Sequence, residues 1–199
     1  ALAAYFTISA SALTKTEVKN ILNAGLKLFA IFQETGSSAK NFTSSTGKTN
    51  GQKAYDAANE LDIIHGSTIY FAVDFDPTDS VIKSNIIPYF ESILSSYAAR
   101  KYKIGVYGTR NVCHKLRNQL GINKFFVSDA SYGFSGNLGY IMPDGWCFDQ
   151  FKTDITIGSD DGKVSIDKVA VSNRDKGIEY TKTDMLNVIM DFVSPFDLC

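Results

Sequence analysis

The chain has 199 residues, of which 44% are hydrophobic and 21% charged, and its formal net charge is -1. That is room for one sizeable domain spanning 1–199 and an ordinary globular composition. The near-neutral balance leaves no electrostatic footprint for nucleic acid or an anionic membrane surface, and no apolar run is long enough to span a bilayer.

No basic segment followed by an apolar run opens the chain, which starts at Ala1. It is read as a processed or excised piece of a longer protein, fused to other domains. Cys113, Cys147 and Cys199 are odd in number and lack metal-ligand spacing, so no disulfide scaffold and no metal is expected. Cys113 and Cys147 read as buried small hydrophobes, and Cys199 as a free or paired terminal thiol. His65 and His114 are not spaced as a metal pair, and no phosphate loop or Ser-His-Asp constellation is present, so no cofactor is expected. The sequon Asn41-Phe42-Thr43 is read as a chance match.

In chain order, Ala3 to Ile8 reads as a short first strand. Thr14, with Glu17 three residues on, is a capping box for a helix carrying Val18, Ile21 and Leu22, stopped at Asn23-Ala24-Gly25. Leu26 to Phe32 is a second strand ending in Gln33-Glu34. Gly36 to Thr46 is rich in Ser, Thr, Gly and Asn and reads as loop, before a helix from about Asn50 to Asp62. Ile69 to Val73 is the central strand. A long helix follows from Val81 to Tyr97, with Pro88 implying a kink or break inside it. Lys103 to Gly108 is a strand, Val112 to Leu120 a helix ending at Gly121, and Lys124 to Ala130 another strand. Ser131 to Gly145 is rich in Gly, Tyr and Ser and reads as a functional surface loop. Trp146 to Phe151 and Val164 to Val169 are two closely spaced strands, and Lys182 to Phe192 is a terminal helix.

Seven strands alternating with helices point to an α/β fold. The expected architecture is a (β/α)8-type TIM barrel, irregular or lacking its first strand in this chain, with a doubly wound open sheet as the competitor. No Gly-rich turn follows the first strand, which counts against nucleotide binding.

The chain is organised around Ile69-Tyr70-Phe71-Ala72-Val73-Asp74-Phe75-Asp76-Pro77. An apolar run buried on both faces ends in D-x-D, and Pro77 closes the strand. Residues two apart on a strand share a face, roughly 7 Å apart, so Asp74 and Asp76 are expected side by side at its carboxyl end. Paired carboxylates suit glycoside chemistry, where one acid must be protonated and the other ionised. The competing role is to cap the next helix together with Asp79. Gln33 and Glu34 end the neighbouring strand, with Glu34 either a third carboxylate in the same mouth or a solvated loop acid. Tyr107 is a candidate to stack on or hydrogen-bond a sugar. Asp129, Asp149 and Gln150 stand at strand ends where ligand groups go, though each alone could be structural. Asp167 interrupts an apolar strand, and a buried acid needs a partner or a role. Trp146 is a sugar platform or a core residue.

Gly25-Leu26-Lys27-Leu28-Phe29-Ala30-Ile31-Phe32-Gln33, the D-x-D strand and Ile104-Gly105-Val106-Tyr107-Gly108 together resemble a glycoside-hydrolase-like domain family, over roughly Tyr5 to Val171. That family looks like a relative of the family-25 lysozymes, which cleave peptidoglycan on a (β/α) barrel. The resemblance implies a secreted or cell-surface protein acting on peptidoglycan or another polysaccharide. It implies Asp76 as proton donor, where the lysozymes carry a Glu one methylene longer, and Asp74 as charge stabiliser. Trp146-Cys147-Phe148-Asp149-Gln150 and Ile166-Asp167-Lys168 look similar to the lysozymes' late W-x-Y and D-x-N strands. The family's first strand ends in a further acid; the chain reads as starting at the second strand, which puts that acid outside it. The alternative is a barrel that binds wall glycan or a protein partner without cleaving it.

Overall fold

The structure is a computed structural model that describes the backbone of residues 3–7 and residues 13–186 in full. Its centre is one seven-stranded sheet in the order β1 (Ala3–Thr7), β2 (Lys27–Phe32), β3 (Thr68–Ala72), β4 (Lys103–Gly108), β5 (Phe125–Val127), β6 (Trp146–Ile157), β7 (Val164–Val171). The first six strands run parallel and β7 returns antiparallel to β6. β1, expected from Ala3 to Ile8, pairs with β2, and the sequence beyond its last residue, Ile8 to Ala12, contains no acid.

The sheet is curled into a half-barrel. Phe29 on β2 and Phe148 on β6 are four strands apart in the sheet order, yet their ring centroids are 4.1 Å apart. In a flat sheet four inter-strand steps would separate them by roughly 19 Å. Phe29, Ile31, Tyr70, Ala72, Phe126 and Phe148 fill the concave side. Gly105 lets the curl form there, because a Cβ on it would lie 2.5 Å from the Tyr70 ring. The expected (β/α)8 barrel is thus only partly realised: among the described residues the strands form a curled six-strand parallel sheet with one antiparallel strand. After β7 the chain crosses back beneath the sheet, where Ile178 exchanges two backbone hydrogen bonds with Leu28 and Tyr70 donates to Asp175.

On the convex side lie α1 (Lys15–Asn23), α2 (Ser44–Glu60), α3 (Asp79–Val81), α4 (Ile87–Leu94), α5 (Ala98–Lys101) and α6 (Arg110–Leu120). They bury Leu28, Ile69, Phe71, Val106 and Val127 from the sheet. Thr14 and Glu17 form the expected capping box of α1. Gly121 ends α6 in the left-handed region at φ 70, where a residue without Cβ avoids strain.

Two helices differ from the sequence reading. α2 starts at Ser44, with the Thr43 side chain accepting from Thr46 N–H, so Ser44 to Asn50 is helix rather than loop or helix entry. Its Gly47 and Gly51 form the contact face against α4, where a Cβ on Gly47 would overlap the Tyr89 carbonyl oxygen. The long helix around Pro88 is broken into α3, a π-turn at Ile82–Ile86, and α4. Proline lacks the N–H and its ring strikes the carbonyl four residues back, and the wider turn before it relieves both conflicts. The terminal helix begins at Lys182, with Thr181 and Asp184 capping it. Its predicted part beyond Leu186, and Cys199, lie outside the described residues. No described helix is long and apolar enough to cross a membrane.

Candidate functional site

The carboxyl ends of β2, β3, β4 and β6 meet at one mouth of the half-barrel. Strand alternation decides what faces it. Ala72, Tyr107, Phe126 and Phe148 stand in register across β3 to β6 on the concave side. Two residues on from Phe148, Gln150 also turns inward. A β-bulge between Phe125 and Phe126 gives β6 one extra residue and sets this phase.

Five sequence-predicted residues come together here. Gln33 Nε2 donates to Asp74 Oδ2 at 3.0 Å. Tyr107 Oη donates to Gln150 Oε1 at 2.7 Å, and Gln150 Nε2 donates to Asp167 Oδ2 at 2.7 Å. Asp167 Oδ1 accepts from the backbone of Asp154, a residue at φ 58 in the irregular stretch of the β6–β7 pairing. The interrupting acid of β7 is therefore a hydrogen-bonded one. Burial pushes the Tyr107 phenol well above its ordinary pKa, and the nearby Asp74 and Asp167 charges add to the rise. Tyr107 is thus a neutral hydroxyl between two carboxylates.

Asp76 turns elsewhere. Its Oδ2 accepts from Ser135 N–H at 2.6 Å and Ser135 Oγ at 2.7 Å, and its Oδ1 from Gly136 N–H at 2.9 Å. Asp74 thus reaches the loop after β2, and Asp76 the loop after β5. Both lie beyond Ala72, the last residue of β3, so the period-two rule no longer governs them. Gly136 is needed for this approach, since a Cβ there would lie 2.8 Å from Asp76 Oδ1 and 2.6 Å from Thr109 Oγ1.

The remaining predicted residues make other contacts. Glu34 forms an ion pair with Lys53 of α2 at 2.6 Å. Trp146 opens β6 at the opposite end of the strand and packs on the convex core. Asp129 follows β5 and is held by the Arg110 guanidinium through Nε at 2.9 Å and through Nη2.

That ion pair belongs to a second cluster, in which the sequence candidates Asp129 and Asp149 meet at Arg110, a residue that the sequence reading did not single out. Val127 and Asp149 are register partners, so Asp149 shares the convex side with Val127, opposite to Gln150. Its Oδ1 is buried and has no hydrogen-bond partner. Burial, and next the adjacent Asp129 charge, push its carboxyl up to about 6. Arg110 is held above its ordinary pKa by Asp129. The one signal in the sequence was position: an acid directly before an inward-facing Gln must point the other way. Arg110 had none, and Ser135 and Gly136 were marked only as part of the Ser131 to Gly145 loop.

Comparison with known proteins agrees with this architecture. The model of the Rv2525c-like, glycoside hydrolase-like domain family matches residues 4–181. The Bacillus subtilis protein YbfG is 46% identical over 169 residues, covering 81% of this chain and 23% of YbfG. FadG of the same organism is 41% identical over 165 residues, covering 81% of this chain and 28% of FadG. The chain thus spans about a quarter of the length of these relatives. Among solved structures, the Mycobacterium tuberculosis Tat-secreted protein Rv2525c in complex with L-tartrate superposes with a TM-score of 0.70 at 18% identity, covering 89% of this chain and 87% of that one. A B. stearothermophilus protein superposes with a TM-score of 0.61 at 13% identity over 84% of each chain. Both structural likenesses concern the fold.

Proposed function

The chain belongs to the Rv2525c-like, glycoside hydrolase-like domain family, and on that premise we propose that it is a cell-wall-directed glycoside hydrolase. Its substrate is peptidoglycan or a related β-1,4-linked amino-sugar polymer, taken at the mouth of the half-barrel. The observation that carries this reading is the polar lining Gln33–Asp74 and Tyr107–Gln150–Asp167 on one concave face. Sugar hydroxyls both donate and accept, and such a lining offers carboxylate acceptors and amide groups that do both.

In this reading Asp76 gives its proton to the glycosidic oxygen as the bond to the anomeric carbon breaks. The substrate's N-acetyl oxygen attacks the anomeric carbon from the opposite face, Asp74 stabilises the positive charge, and water then displaces the N-acetyl oxygen and gives its proton to the Asp76 carboxylate. Tyr107, Gln150 and Asp167 orient the sugar. Action outside the cell or at its surface fits the Tat-secreted character of Rv2525c.

A second reading, glycan binding without cleavage, is favoured by one observation. Asp76 accepts three hydrogen bonds through both oxygens, so donation of a proton requires the 135–136 segment to let go. Reducing-end release from purified peptidoglycan tests both, with Asp76→Asn as the matched control. Release by the wild type and none by the folded variant supports hydrolysis. Pelleting with the wall, with no release from either protein, supports binding. Neither release nor pelleting sinks both readings.

A further inference from the structure

Asp149 has no part in the proposed chemistry, yet it is the acid of the described chain with a buried, unpartnered oxygen. The charged and titratable groups facing it are Asp129 at the end of β5 and Arg110 at the start of α6. From β7 the register neighbour Ala170 stands opposite, and on α6 the nearby Cys113 thiol is fully buried and neutral. One guanidinium therefore serves two carboxyl groups. A protonated Asp149 can donate its O–H to Asp129, leaving that carboxylate to Arg110; an ionised Asp149 repels Asp129 and competes for the guanidinium.

Arg110 and its neighbour in turn hold the 131–145 loop. Arg110 Nη1 donates to the Tyr140 carbonyl at 2.8 Å, and its backbone N–H donates to Asn137 Oδ1 at 3.0 Å. The Asn111 N–H donates to the Gly136 carbonyl at 2.9 Å. The same loop delivers the three hydrogen bonds to Asp76. A continuous set of contacts thus runs from Asp149 through Asp129, Arg110 and the loop to Asp76.

We propose that Asp149 is a positioning residue whose protonation sets how firmly the 131–145 loop holds Asp76. With the proton on, Arg110 stays with Asp129 and the loop is clamped; with the proton off, the clamp loosens and Asp76 is released towards the mouth. With the carboxyl pushed up to about 6, this change falls on either side of that pH. The hold on Asp76 stands on the contacts alone, whereas its consequence for turnover rests on the reading of Asp76 as proton donor.

Amide hydrogen exchange at Ser135 and Gly136, corrected for intrinsic rates, tests it in the wild type and in Asp149→Asn. Between about pH 5 and about pH 7.5 the wild-type protection should fall by about tenfold, the factor that one pKa unit of coupling carries. The Asn side chain donates to Asp129 at every pH, so the variant should keep the acid-side protection throughout. A flat wild-type profile, or a variant that falls in parallel with it, overturns the proposal. A carbon-detected carboxyl titration of Asp149 with its midpoint in the ordinary aspartate range overturns it as well, independently of the variant. If the exchange profile behaves as expected while Asp76→Asn cleaves like the wild type, the clamp stands and the catalytic reading of Asp76 falls.

Discussion

Asp149 and Gln150 are consecutive residues of β6, yet they belong to two different polar clusters on opposite sides of the sheet. In the mouth, Gln150 lies between Tyr107 and Asp167, and both of its amide atoms have partners. On the flank, Asp149 sits beside Asp129 and Arg110 with one oxygen unmet. The mouth joins its acids through neutral donors and leaves Asp74 exposed, so a ligand hydroxyl can exchange with an internal bond at small cost. The flank sets two acids against one base away from the concave face, where any change in charge must be absorbed by the ion pair. The same residue type is therefore open to solvent and joined through neutral donors on one face, and set against an ion pair on the other.

Substitutions can break or sharpen that contrast. Arg110→Ala should have the largest effect on stability, because it leaves Asp129 and Asp149 facing each other and frees Tyr140 and the loop. The expected loss is about 3 kcal/mol, at the low end for breaking a buried pair since both partners are partly exposed. Urea denaturation measures it, and wall pelleting per folded molecule should change little. Tyr107→Phe should do the reverse. It leaves the buried Gln150 Oε1 without its donor, at about 1.5 kcal/mol, and should weaken pelleting by about tenfold. If Tyr107→Phe pellets like the wild type, the mouth is not where the glycan lies.

Asp149→Asn should give the smallest change, and one of opposite sign. A carboxyl whose pKa is raised on folding is bound to its proton more tightly in the folded state. Its stabilisation is present below about pH 4, the ordinary aspartate value, and is lost as pH rises through about 6. Above that, the ionised group is a standing penalty that Asn does not carry. The variant should therefore be more stable than the wild type at neutral pH, by about 1 kcal/mol once solvent screening is allowed for. The difference should narrow towards pH 4. Thermal melts at several pH values measure it, and a constant offset would mean that Asp149 does not titrate as described.

Several features were legible because their causes are local. The Thr14–Glu17 capping box and the Gly121 stop depend on a few adjacent residues, and each stands where the pattern placed it. The central strand was readable from its unbroken apolar run, every residue of which is buried. The start of α2 was not readable. Ser44 to Gly51 has loop-like composition, and only the close approach of α4 turns its glycines into a packing face. The pairing of Asp74 with Asp76 was drawn from a strand rule, but β3 ends at Ala72 and the two acids bond to different loops.

What the sequence by itself determined is the succession of strands and helices and the acids and amides at the strand ends, because hydrophobic periodicity, capping and turn chemistry act over a few residues. Tertiary structure alone decided which of those polar groups meet. The curl brings β2 within reach of β6, the bulge sets whether Asp149 or Gln150 faces inward, and the 131–145 loop takes Asp76 for itself. Each depends on residues tens of positions apart, whose meeting is set by the path of the folded sheet and by no local rule.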